Sequence, residues 1–156
     1  FSSEGRGSLA AEVEAELSKG HRVLAVDLWY FGDCRPVERE YLFALMLQTI
    51  GERPLGVQAS QLAALARWTK GQFADGSVTF KSMDRRTAVS LLVAAALRPD
   101  RFSAIATEGS PTTLKWVITE SLASDDAPEQ FTFGLLREFD IPQIKALISR
   151  EAFASQ

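Results

Sequence analysis

Residues 78–97 constrain this chain more than any other stretch. Val78-Thr79-Phe80-Lys81-Ser82 reads as a strand and Thr87 to Leu97 as an Ala-rich helix, apolar on several faces, with only Met83-Asp84-Arg85-Arg86 between them. So short a junction forces a sharp strand-to-helix turn. A helix apolar on several faces has to be sandwiched between a sheet and its neighbours, which commits the chain to an α/β layer arrangement.

The flanking segments repeat the alternation. Leu9, Val13 and Leu17 recur every four residues between acidic positions, and Gly20 follows as a helix stop. Val23-Leu24-Ala25-Val26 is a short apolar run of the kind found in parallel strands covered on both faces, closed by Asp27. After the loop Leu28 to Arg35, Pro36 opens a helix with Tyr41, Leu42, Leu45 and Met46 on its buried side, ending near Gly51. Another helix spans about 58–73 with Leu62, Leu65, Ala66 and Trp68 inward, and Ala74 to Ser77 is a turn. Past Arg98-Pro99-Asp100, Ser103 to Thr107 is a third strand with the exit loop Glu108-Gly109-Ser110-Pro111. Helices are expected over Thr113 to Leu122, Phe131 to Phe139 and Ile141 to Ile148, with a break at Ser124 to Pro128. Three strands joined by helical crossovers predict a three-layer α/β/α unit around a parallel sheet.

Composition narrows the function classes. A chain of 156 residues fits one domain, 1–156, and one of about 150 buries roughly 70% of its unfolded surface. Its net charge is -3 with Lys and Arg scattered, so no basic stripe awaits a phosphate backbone, and nucleic acid is not an expected partner. The lone Cys34 excludes an internal disulfide and a multi-cysteine metal site. No apolar run approaches the roughly 20 residues that span a bilayer, and Phe1 to Ser8 lacks signal-peptide order, so a soluble chain with no membrane partner is expected and its compartment stays open. The missing initiator Met reads as a segment of a larger protein.

In parallel sheets the ligand crevice lies beyond the carboxyl ends of the strands. That rule selects Asp27, Trp29, Tyr30, Asp33 and Cys34 from the first loop, Asp84, Arg85 and Arg86 from the second, and Glu108 and Ser110 from the third. None of these forms a metal-ligand set or a Gly-rich phosphate loop, so no cofactor is expected. Trp29, Tyr30 and Phe31 either pack the core and loop or line a ligand cleft. Cys34, without a neighbouring His, reads as an inert, partly buried thiol.

Arg22 to Asp27 followed by Tyr30-Phe31-Gly32-Asp33-Cys34 resembles the strand and Gly-containing loop that precede the nucleophile strand in α/β-hydrolases. Leu92 to Leu97 with Arg98-Pro99-Asp100-Arg101-Phe102 is similar to the helix after their nucleophile elbow and its Pro-Asp/Glu-Arg-Phe ending. The tail Phe139-Asp140-Ile141 to Ala146-Leu147-Ile148 looks most like the acetyl xylan esterase and dienelactone hydrolase group, although Ser149-Arg150-Glu151-Ala152 stands where that group has Ala-Pro-Arg-Pro. The resemblance implies the central portion of an α/β-hydrolase fold, and an ester hydrolase if the chain is active.

The elbow departs from that pattern. Counting back from Pro99 places the nucleophile position at Arg86, or at Arg85 with a one-residue slip, and a guanidinium has no free lone pair with which to attack a carbonyl. The resemblance puts the catalytic acid and His after later strands, and this chain ends before them. The single histidine, His21, precedes the first strand, and five strand residues at about 3.3 Å each put it roughly 15 Å or more from the elbow. Asp84 is readable as a carboxylate nucleophile, or as a helix cap paired with Arg85 or Arg86. The two arginines either hold an anion or form a salt-bridged surface. Ser110 is readable as a catalytic hydroxyl or as a turn or cap residue.

These residues lead to an expected α/β-hydrolase-like domain that has lost catalysis and serves an accessory or interaction role. The alternative is part of a carbohydrate-ester or related esterase whose remaining catalytic residues lie outside this chain. Apolar strands with bare edges predict a homodimer, or dependence on a neighbouring domain of a parent protein. A small-molecule ligand is not specified.

Overall fold

The computed structural model describes residues 1–36, 38–73 and 77–153. Seven α-helices and two strands are assigned among them: α1 (Ala10–Ser18), α2 (Glu40–Thr49), α3 (Pro54–Gln72), β1 (Thr79–Ser82), α4 (Arg85–Leu97), β2 (Ala104–Thr107), α5 (Trp116–Thr119), α6 (Leu135–Glu138) and α7 (Ile141–Ala146). β1 and β2 pair in parallel, with Thr79 opposite Ala104 and Ser82 opposite Thr107, joined through α4. The architecture is therefore α/β, with a two-stranded parallel sheet among the described residues. An isolated parallel bridge from Ile105 to Phe153 extends it on the β2 side.

α4 is the centre of the core. Ala88, Val89, Leu91, Leu92, Ala94 and Ala95 are all buried, because the helix packs on α3, on α7 and on both strands. α3 supplies Leu55, Ala59, Leu62 and Ala66, while Phe80 and Phe102 meet edge to face at 5.0 Å beneath them. Burying each large aliphatic side chain of this interface contributes about 1.5–3 kcal/mol. Gln58 and Ser90 tie α3 to α4 in the same interior: Ser90 Oγ donates to Gln58 Oε1 at 2.7 Å, and Gln58 Nε2 donates to the Trp29 carbonyl at 2.6 Å.

Several expectations need correction. Val23–Val26 forms no strand: none of its backbone groups pairs with other backbone among the described residues, and Val23 and Leu24 are exposed. β1 is covered on one face only, since Phe80 and Ser82 are buried while Thr79 is exposed and Lys81 half-buried. On α2 the buried residue is Ala44, and Tyr41, Leu45 and Met46 (64% exposed) face outward; the turn Pro128–Gln130 covers only a stripe of that helix. Trp68 also faces outward, edge to face with Phe73.

Element limits shift for local reasons. α3 starts at Pro54, the residue type suited to a first helical position. α5 is confined to four residues because Asp140 holds Thr113 and Leu114 at one end, and Ser121, at φ 51, ends the turn at the other. Gly134, at φ 84, delays α6 until Leu135, and α7 ends at Ala146. Of the turn expected at Ala74 to Ser77, only Ser77 lies within the described residues.

Candidate functional site

The carboxyl ends of β1 and β2 carry the second and third loops selected from the sequence. Helix α4 begins at Arg85, so Arg85 and Arg86 sit in its first turn and Asp84 is its N-cap. The Thr87 amide donates to Asp84 Oδ1 at 3.0 Å, the Asp84 amide donates back to Thr87 Oγ1 at 3.2 Å, and the Ser3 amide donates to Asp84 Oδ2 at 2.6 Å. Both carboxylate oxygens of Asp84 are thereby engaged. The cap reading holds and the expected pairing with arginine does not.

Each arginine takes a different carboxylate. Arg85 pairs with Glu120 and lies over the Trp116 ring at 4.9 Å, an exposed ion pair as anticipated. Arg86 is drawn inward: Nε and Nη2 donate to Glu129 Oε1 and Oε2 at 2.8 and 2.9 Å, and its guanidinium stands 5.1 Å from the Phe31 ring centroid. The Glu129 side chain is 0% exposed and that of Arg86 19%. Burial works against the Arg86 charge, but hydrogen bonding and attraction to Glu129 outweigh it and raise its pKa. Gln130 Nε2 completes the cluster by donating to Glu129 Oε1 at 3.0 Å.

The first loop packs onto this pair. Tyr30 and Phe31 are buried, and the Tyr30 hydroxyl is pushed up to about 12 by burial, with Glu129 and Glu40 adding to the shift. Trp29 is held to α3 by Gln58 and by Gln61, whose Oε1 accepts from the Trp29 amide at 3.0 Å. These aromatics pack the core and loop, one of the two readings from sequence. Cys34 is exposed, not partly buried, because its short turn Gly32–Cys34 faces outward.

Asp27 closes the other side of the crest. Its carboxylate accepts from the Arg6 amide at 2.6 Å and from the Asp33 amide at 3.1 Å, a structural clasp on the N-terminal segment. Asp33 in turn pairs with Arg6 at 2.6 Å.

The third loop leaves one open group. Gly109, at φ 62, packs against the start of α4, where an added Cβ would lie 3.5 Å from the Arg85 nitrogen. Beside it the Ser110 hydroxyl oxygen is buried without a hydrogen-bond partner among the described residues, so Ser110 caps no helix there. Glu108 pairs with Lys81 at 2.8 Å and, through that hydrogen bond, raises the lysine's pKa. His21 is exposed and pairs with Glu16 at 2.7 Å on α1.

Sequence reasoning missed Glu129, Gln58 and Gln61. Gln58 and Gln61 are three residues apart on one helix and so share a face, but Glu129 had no local signal. The described residues contain no group of three or more His, Cys, Asp or Glu able to hold a metal ion, and no helix among them is long and apolar enough to cross a membrane. A cavity of about 260 Å³ lies at the opposite ends of the strands, between Val78, Phe80 and Phe102. No protein-family model, curated protein or solved structure matches the chain.

Proposed function

We propose that this chain is a catalytically silent domain of α/β-hydrolase type, belonging to a three-layer α/β/α architecture and serving an accessory or interaction role beside a second copy or a neighbouring domain. The observation that carries the reading is the Arg86–Glu129 pair. The position expected to hold a nucleophile holds a cation, and that cation donates from Nε and Nη2 to the two oxygens of a fully buried carboxylate. Asp84, the nearest carboxylate, has both oxygens engaged by backbone amides. Asp84 is thereby held as the cap of α4, and the single histidine, His21, is paired with Glu16 on α1 rather than placed beside it as a base.

One observation favours the alternative, an esterase completed by residues outside this chain. Ser110 carries a buried hydroxyl with no partner among the described residues, at the correct end of the sheet. Both readings meet the same experiment. Hydrolysis of p-nitrophenyl acetate and butyrate is measured for the wild type, Asp84→Ala and Ser110→Ala. Background rates for all three, both in this chain alone and in the parent protein that contains it, support the silent domain. Wild-type turnover that one substitution abolishes overturns it in favour of the esterase.

A further inference from the structure

Helix α2 is apolar where it meets solvent. Tyr41 to Ile50 carry no charge, yet only Ala44 among them is buried, and Tyr41, Phe43, Leu45, Met46 and Ile50 are exposed. At about 100° per residue, Leu42, Leu45, Met46 and Thr49 form a stripe on the side of the helix away from Ala44. Their i, i+3, i+4, i+7 spacing is the one by which a helix buries a face. The chain as a whole exposes 9359 Å². A folded monomer of its mass is expected to expose about 7,800 Å². The excess of about 1,600 Å² is ample for the roughly 800 Å² that each partner buries in a stable dimer.

The charges at the two ends of α2 select what covers it. Glu38 and Arg39 precede the helix, and Glu52 and Arg53 follow it. Glu38, Arg39 and Glu52 are exposed, Arg53 is half-buried, and none of the four is ion-paired among the described residues. Two copies of one helix can pack antiparallel about a two-fold axis, so that the same patch meets itself. With the axis between Leu45 and Met46, Leu45 faces Met46 of the second copy and Leu42 faces Thr49. The same register sets Arg39 against Glu52 and Glu38 against Arg53, opposite charges at both ends. The neighbouring registers do the reverse. An axis on Met46 sets Arg39 against Arg53, and an axis on Leu45 sets Glu38 against Glu52.

We propose that α2 is a self-association face, and that two copies of this chain pair through it, antiparallel, with Leu45 beside Met46 and Arg39 beside Glu52. The apolar stripe supplies the burial, and the end charges choose the orientation and register. The pairing names the partner and the surface for the interaction role proposed above and makes no use of catalytic silence. A chain that stays monomeric overturns the pairing and leaves the ester assay to decide that reading.

The test is sedimentation equilibrium of the whole chain at concentrations from about 1 to 500 μM. The wild type is expected to dimerise as concentration rises. Met46→Glu, at an exposed position in the middle of the stripe, is expected to weaken the dimer by about a hundredfold or more. Arg39→Glu and Glu52→Arg each bring like charges together at both ends and are each expected to weaken it about tenfold. An equimolar mixture of those two variants regains opposite charges in the mixed pair and is expected to dimerise as the wild type does. A monomeric wild type overturns the proposal, as does a dimer that Met46→Glu leaves intact, or a mixture no stronger than either variant alone. If the monomer floats with phosphatidylcholine vesicles, or if α2 gains hydrogen-exchange protection only in a larger protein, the face belongs to a membrane or to a neighbouring domain and the proposal also fails.

Discussion

Arg86 and Glu129, 43 residues apart in sequence, form a two-pronged ion pair at 2.8 and 2.9 Å that closes the crest of the sheet. It joins the first turn of α4 to the turn Pro128–Gln130 and sets the Arg86 guanidinium over the Phe31 ring. A pair this buried is a strong constraint on conformation and a weak source of net stability, because two charges have left water to form it.

That distinction sets the first prediction. Glu129→Ala leaves the Arg86 guanidinium poorly solvated and unpaired, and is expected to cost about 3–5 kcal/mol. The double variant Arg86→Met with Glu129→Leu removes both charges and is expected to recover most of that loss. Urea unfolding of the wild type and the two variants measures it. A double variant no more stable than Glu129→Ala would show that Glu129 acts through some other contact.

Asp84→Ala separates the structural role of that carboxylate from a catalytic one. The substitution removes the N-cap of α4 and the acceptor for the Ser3 amide, so a loss of about 1–2 kcal/mol is expected. Asp84→Asn keeps a capping oxygen and is expected to lose less. Thermal melts rank the three proteins, and equal melting points for Asp84→Ala and the wild type contradict the cap.

Asp140 makes stability depend on acid pH. Desolvation pushes its carboxyl up, but hydrogen bonds from Thr113 Oγ1 and from the Leu114 and Ile141 amides together outweigh it, and its pKa lies below the ordinary value. A carboxyl depressed in the folded state releases its proton more readily there. Its contribution is complete above the unfolded value of about 3.9 and is lost as pH falls through the lower folded value. Asp140→Asn is therefore expected to flatten the dependence of stability on pH below about 4. Urea midpoints collected from neutral pH downward test this, and parallel curves for the two proteins refute it.

The residues that were legible from sequence are those whose environment is local. Val78 to Leu97 announces a strand, a tight turn and a buried helix because the hydrophobic period changes within a few residues, and β1 and α4 follow. Asp84 followed by Thr87 is a cap written into four consecutive positions. Val23–Val26 is equally apolar, yet apolarity does not provide a neighbouring strand, and among the described residues the segment runs unpaired. On α2, periodicity gives a helix without saying which apolar side finds cover. Glu129 was invisible for a different reason: a bond across 43 residues exists only once the fold has brought both ends together.

Gly32 offers the sharpest single-site test of the N-terminal clasp. Its φ of 50 lies in the left-handed region, and an added Cβ would stand 2.5 Å from Asp27 Cγ and 2.6 Å from each carboxylate oxygen. The Asp27 side chain is buried and has nowhere to retreat while it accepts from the Arg6 and Asp33 amides. Gly32→Ala must displace it and release the segment that bonds to β1 and Asp84. Backbone strain of about 1–2 kcal/mol and loss of charge-assisted hydrogen bonds worth about 1.5–3 give an expected destabilisation of about 3 kcal/mol or more. Gly7→Ala is the control: its added Cβ meets nothing within 4 Å, and the change is expected to be neutral within about 0.5 kcal/mol. Urea midpoints compare the two, and faster exchange of the Arg6 and Ser3 amides in Gly32→Ala locates the damage. If Gly32→Ala melts with Gly7→Ala, the Asp27 carboxylate is not what fastens the N-terminal segment to the crest.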